Sequence, residues 1–120
     1  KINSDTDIYL VNSYGKTKSF YKMCKNIFLG GSFVNHGGQN PLEAVRFGCN
    51  VFHGPHIYNF KEIYYFLKKK KLSVKINNYN QLTKVLQKSL NKKNYSKKKI
   101  ENLNLSGSKI LEKTYKLICL

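Results

Sequence analysis

The stretch Gly30-Gly31-Ser32-Phe33-Val34-Asn35-His36-Gly37-Gly38-Gln39-Asn40-Pro41-Leu42-Glu43 leaves this chain little choice of local structure. It follows the short apolar run Ile27-Phe28-Leu29, which reads as a buried strand. It ends in a strong helix start: Asn40 as N-cap, Pro41 at the first helical position and Glu43 three residues after the cap. Two glycine pairs therefore lie between a strand end and a helix N-terminus. Without side chains the backbone lets a ligand approach, and free N–H groups beside the helix dipole favour an anion. This is phosphate-site geometry.

Strand-like and helix-like segments alternate along the chain. Asp7 to Val11 reads as a strand, Lys16 to Cys24 as a helix and Asn26 to Leu29 as a strand. Pro41 to Phe47 follows as a short helix stopped by Gly48. Asn50 to His53 is the next strand, closed by Gly54-Pro55. Asn59, with Glu62 three residues on, repeats the capping-box pattern and heads a helix with Phe60, Ile63, Tyr64 and Leu67 on its apolar face. Leu72 to Ile76 reads as a strand, and Leu82, Val85, Leu86 and Leu90 form another helical stripe. Gly107 separates two terminal helices, the last carrying Ile110, Leu111, Leu117 and Ile118. Strands that recur with helices between them imply an α/β fold, a parallel sheet covered on both faces. Ligands of such sheets bind at the carboxyl ends of the strands, where both glycine-rich stretches fall.

With 120 residues there is room for one domain with a real core, not for two. The formal charge of +16 invites a nucleic-acid or anionic-membrane partner. Arg46 is the only arginine, however, and Arg is the side chain best suited to bidentate phosphate and guanine contacts. No nucleic-acid partner is expected; the lysines form a solvated basic surface or one weakly attracted to an anionic bilayer. Cys24, Cys49 and Cys119 are odd in number and lack CxxC spacing, which suggests reduced, buried thiols. Cys49, His53 and His56 match no standard zinc spacing, so no metal site is expected. No apolar run approaches the ~18 residues needed to span a bilayer, and no signal peptide is visible. The chain opens at Lys1, directly before strand-like sequence, as a piece of a longer protein would.

Each candidate site residue has a plain and a functional reading. Gly30, Gly31, Gly37 and Gly38 are turn glycines or points of close ligand approach, and two pairs so near each other favour the second. Ser32 is a loop hydroxyl or an anion contact. His36 is a surface histidine or a donor to a phosphate or sugar oxygen. Asn40 and Glu43 are fully explained as a capping box, yet Glu43 equally suits a ribose diol, because a carboxylate accepts two hydroxyl protons at once. Gly54-Pro55-His56 with Asn59 is a rigid turn and helix cap or a second ligand loop. Tyr14-Gly15 follows the first strand and would share the same rim.

At these residues the sequence resembles the 3-deoxy-D-manno-octulosonic acid (Kdo) transferases. Gly30-Gly31-Ser32, His36-Gly37-Gly38-Gln39-Asn40-Pro41-Leu42-Glu43, Gly54-Pro55-His56 and Asn59-Phe60-Lys61-Glu62-Ile63 stand in order and at the right spacing. The resemblance covers roughly residues 7 to 67. It implies a Rossmann-like sheet forming most of the C-terminal, donor-binding domain of a GT-B glycosyltransferase, with residues 1–120 a partial domain and the N-terminal acceptor domain absent. The implied reaction moves Kdo from CMP-Kdo to a lipid A precursor with inversion, in lipopolysaccharide biosynthesis. It needs no cofactor and no bound metal. It takes place at the cytoplasmic face of the inner membrane, whose anionic surface the protein meets peripherally or through an anchor in the missing N-terminal region. By position, Gly30, Gly31, Ser32, His36, Gly37, Gly38 and Asn40 surround the donor's phosphate and sugar, and Glu43 holds the ribose. Gly15, Gln39 and Asn59 complete the donor set, and no catalytic residue lies in this chain. The family's Asp-Thr-Met-Gly-Glu-Leu is replaced by Asn12-Ser13-Tyr14-Gly15-Lys16-Thr17, which keeps only the glycine. Two alternatives remain: another GT-B nucleotide-sugar transferase, or a non-catalytic basic module for polyanions or membrane surfaces.

Overall fold

Asn26-Ile27-Phe28-Leu29 and Asn50-Val51-Phe52-His53 are short apolar runs, each opened by an amide residue and closed by glycine, and in the computed structural model they lie side by side. The structure describes residues 3–91. The elements are α1 (Thr17–Met23), β1 (Asn26–Leu29), α2 (Leu42–Arg46), β2 (Asn50–His53), a 3₁₀ turn (Tyr58–Phe60), α3 (Lys61–Lys69), β3 (Ser73–Lys75) and α4 (Tyr79–Leu90). The strands form a parallel sheet in the order β1-β2-β3. Asn26 pairs with Asn50, and Asn50 Nδ2 donates to Asn26 Oδ1 at 2.9 Å, a side-chain bond that fixes the register at the start of both strands. A one-residue slip would turn every side chain to the wrong face. In this register Leu29, His53 and Lys75 end the three strands in one row.

The sheet has a helix layer on each side. Leu29 and Val51 join Ala44 and Val45 of α2, Cys49, and Tyr64 and Leu67 of α3 in one buried cluster. Strand alternation sends Phe52 and Val74 to the other face, where Val85 of α4 meets them across a small cavity. Parallel strands covered in this way need apolar residues pointing both ways, and this explains the unbroken Ile27-Phe28-Leu29 and Val51-Phe52 runs. The α/β fold with a parallel sheet stands as the sequence implied.

Some expectations do not survive. Asp7 to Val11 forms no strand: Ile8 and Leu10 are 90% and 84% exposed, and Tyr9 packs only near Phe20 of α1. A strand exists through its ladder, and among the described residues nothing pairs with this run. Asn59 does not cap α3. It lies within the 3₁₀ turn, and Phe60 precedes the helix without a side-chain cap. In α4, Leu82, Val85 and Leu86 are part-buried but Leu90 is exposed. Cys24 is exposed, against the expectation of buried thiols, whereas Cys49 is buried. The Cys49 thiol donates to the carbonyls of Tyr21 and Cys24 at 3.3 and 3.2 Å, and burial pushes its pKa up to about 11. Cys119 and the two terminal helices lie outside the described residues. Leu67, fully buried between α3 and the sheet, tests the core: Leu67→Ala should lower stability by about 2–5 kcal/mol in urea unfolding.

Candidate functional site

Because β1 and β2 run parallel, the segments that follow them, Gly30–Pro41 and Gly54–Ile57, leave the sheet at the same edge. Backbone and side chains tie the two together. Ser32 is fully buried; its hydroxyl donates to the Leu29 carbonyl at 2.7 Å and accepts from the Gly54 N–H at 2.8 Å. The Ser32 carbonyl accepts from the His56 N–H at 2.9 Å. Further out, Gly38 N–H donates to the Gly31 carbonyl at 3.0 Å and closes the first loop on itself. Asn59 then bridges the loops, its backbone N–H donating to the Gly37 carbonyl at 3.3 Å and its side-chain amide to the His36 carbonyl at 3.4 Å.

The glycines divide by cause. Gly37 has φ +90° and is packed against Asn59 and Tyr58, so the fold itself excludes a side chain there. Gly54 is excluded by proximity instead: a Cβ would collide with the Ser32 carbonyl. Gly30 has neither reason. Its φ lies outside the left-handed region, and a Cβ would project into open space at the strand end. Nothing within the described residues requires glycine at position 30, which is what a ligand in close approach would leave.

Of the sequence-derived candidates, Gly30, Gly31, His36, Gly37, Gly38, Gln39, Asn40 and Asn59 belong to this one loop assembly. His36 and Gln39 lie beside Gly31, within 3.4 and 3.8 Å of where its Cβ would stand. Ser32 belongs to the assembly as well, but both sides of its hydroxyl are occupied and it faces no open space. Gly15 is not brought to the loops. It is exposed, a side chain there would meet nothing within 4 Å, and the strand expected to carry it to the rim is not formed.

Asn40 and Glu43 separate cleanly. Asn40 Oδ1 accepts from the Leu42 N–H at 3.0 Å and so braces the start of α2, but the N-cap position falls to Pro41, which offers no side-chain cap, and not to Asn40 as the sequence implied. The reciprocal half of the capping box is missing: Glu43 makes no bond back to Asn40, and its half-exposed carboxylate lies 3.6 Å from Lys18 Nζ. An exposed ion pair of this length constrains a carboxylate weakly. Glu43 therefore has an available acceptor beside the loops.

Two residues beneath the loops, His53 and Tyr64, were not among the site candidates drawn from the sequence. His53, 4% exposed at the end of β2, holds the Gly54 carbonyl with Nδ1 at 2.7 Å. A carbonyl only accepts, so Nδ1 carries the proton. Burial lowers the His53 pKa, the Gly54 bond opposing and Lys75 adding to the shift. The neutral ring packs against Tyr64 with centroids 4.2 Å apart. Tyr64 is 1% exposed, and its hydroxyl donates to the Gln39 carbonyl at 2.9 Å. The available signal was a polar-tipped aromatic in an otherwise apolar helix stripe. Among the described residues no cluster of His, Cys, Asp and Glu could hold a metal ion.

The chain is 34% identical over 110 residues to a 3-deoxy-D-manno-octulosonic acid transferase of Haemophilus influenzae, spanning 91% of this chain and 25% of that protein. It is 30% identical over 105 residues to the transferase of that name in Aquifex aeolicus, spanning 88% of this chain and 30% of the relative. This is a Kdo transferase-like chain. A Fusobacterium nucleatum protein named as a bifunctional glycosyltransferase/methyltransferase is 28% identical over 88 residues, 73% of this chain and 14% of its own. No protein-family model matches. The chain spans about a quarter to a third of the two Kdo transferases, and the similarity takes in both glycine-rich loops.

Two outcomes are expected. Gly54→Ala should lower the melting temperature markedly, because the new methyl meets a backbone carbonyl that cannot swing away, while Gly30→Ala should melt close to the parent. Stability should also fall with pH through His53. Its folded pKa lies below the unfolded ~6.5, so the unfolded chain binds more protons in the window beneath ~6.5 and stability declines as pH falls through it. His53→Phe should flatten that slope in thermal melts taken from pH 7.5 to 5.

Proposed function

We propose that this chain is the donor-binding part of a Kdo transferase, the C-terminal domain of a GT-B enzyme that moves Kdo from CMP-Kdo to a lipid A precursor with inversion. The observation that carries the reading is Gly30. It is a glycine without internal cause at a strand's carboxyl end, inside the loop that similarity aligns with Kdo transferases. The phosphate and sugar of the donor would lie over Gly30 and Gly31, within reach of His36, Gln39 and Asn40. Glu43, free of the capping box, would accept the ribose hydroxyls. The groups present supply binding and orientation. The 120 residues are proposed to hold the donor without catalysing transfer, since the acceptor site and the general base would come from the rest of the protein.

A cytoplasmic, inner-membrane location fits the charge distribution. Lys22, Arg46, Lys68 and Lys69, and Lys88 stand in the last turns of α1, α2, α3 and α4, which returning helices bring to the end of the sheet away from the glycine loops. Basic groups there complement the helix dipoles and an anionic bilayer alike. No described helix is long and apolar enough to cross a membrane.

The test uses the full-length protein and calorimetric titration with CMP and with UDP. Preference for CMP supports the reading, and preference for UDP assigns a different nucleotide-sugar transferase. Equal weak binding of any polyanion with a steep salt slope would leave only a basic surface. Glu43→Gln should keep near-normal stability while weakening CMP-Kdo use by about tenfold, equivalent to ~1.4 kcal/mol. A neutral amide is a weaker acceptor than a carboxylate for hydroxyl donors. Unchanged kinetics in that variant would remove Glu43 from the site.

A further inference from the structure

Tyr64 carries a hydroxyl that the core does not need. Phenylalanine would complete the buried face of α3 equally well, and what the oxygen adds is its 2.9 Å bond to the Gln39 carbonyl. A trans peptide holds its C=O and N–H on opposite sides. With the Gln39 carbonyl drawn inward to Tyr64, the N–H of the same peptide, which belongs to Asn40, points away from the core. Asn40 is exposed, and its N–H has no partner among the described hydrogen bonds. Behind Tyr64 the His53 ring lies at 4.2 Å and itself holds the Gly54 carbonyl, so the phenol has little freedom to follow a moving loop.

We propose that Tyr64 is a positioning residue: by holding the Gln39 carbonyl inward it aims the Asn40 N–H outward, as a donor to an anionic oxygen of the bound nucleotide sugar. This rests on the donor-site reading above. It adds an aimed backbone donor and names the buried group that aims it. Tyr64 touches no ligand; it acts through one peptide plane. Loss of the hydroxyl frees that plane to rotate, and the N–H then has to be ordered at the moment of binding.

The experiment compares Tyr64→Phe with Ile63→Val in the full-length protein. Ile63 is its neighbour on α3, packs against the same core and has no polar atom to offer the loop. Both changes should leave a folded protein with a slightly lowered melting temperature. CMP affinity is measured by calorimetry well below melting. The Asn40 amide is followed by NMR after selective ¹⁵N-asparagine labelling, with CMP and, separately, inorganic phosphate. Tyr64→Phe should weaken CMP about fivefold or more and abolish the ligand-induced shift of the Asn40 amide, while Ile63→Val retains both. Equal CMP affinity in the two variants, or an Asn40 amide that responds in Tyr64→Phe as in the parent, overturns the proposal. If the parent binds no CMP but phosphate moves its Asn40 amide and not that of Tyr64→Phe, the nucleotide reading falls and the positioning role stands. An Asn40 amide silent to both ligands in the parent ends the role as well.

Discussion

One buried hydroxyl couples the two halves of the site. Ser32 leaves the end of β1, gives its proton back to Leu29 and takes the N–H of Gly54 at the end of β2. Two parallel strands have no turn between them to fix the relative height of the loops that follow, and the Ser32 bridge supplies that constraint. With its oxygen fully buried, removing it would leave the Gly54 N–H without a partner in a region closed to water. Such an orphan costs ~1–3 kcal/mol, more than the bond itself contributes. The same bridge explains why Gly54 tolerates no side chain, since the Ser32 backbone must come close for the hydroxyl to reach.

The outer part of the assembly is held differently. Asn59 and Tyr58 reach across to the carbonyls of Gly37, His36 and Asn35 at 3.3 to 3.4 Å from exposed positions. These bonds are long and wet. The inner bonds, at Ser32, His53 and Tyr64, run from 2.7 to 2.9 Å and are sheltered. Rigidity therefore falls from the strand ends outward to the loop tips. That order suits a site whose floor must be preorganised and whose rim must let a ligand in.

How much of this was legible depended on whether the deciding physics was local. β1 and β2 were readable to the residue, because a run of apolar residues bounded by Asn and Gly has few other uses in a buried parallel sheet. Asp7 to Val11 shows the same local preference and forms no strand, since the partner that would make it one is not a property of the segment. The two capping-box patterns failed for a related reason. Asn59 matches the motif, but its side chain is taken by the His36 carbonyl, 23 residues back in sequence. Glu43 matches it too, and lies beside Lys18 of another helix. The glycines stand out in the sequence as a set. Their division into those the fold requires and the one it does not needed the positions of neighbours such as the Ser32 carbonyl and the Asn59 amide.

The outer edge of β1 is bare among the described residues, and beside α1 lies the exposed run Ile8-Tyr9-Leu10-Val11. An open row of backbone donors and acceptors beside an unpaired β-branched and aromatic run is a template for edge-to-edge joining of chains. Preparations of this polypeptide by itself should thus be governed by colloidal behaviour, with like-charge repulsion from the lysines opposing strand pairing between molecules. Ionic strength sets that balance: adding salt screens the repulsion and leaves the edge untouched. Solubility, rather than turnover, is then the property most sensitive to whether a neighbouring strand closes the sheet.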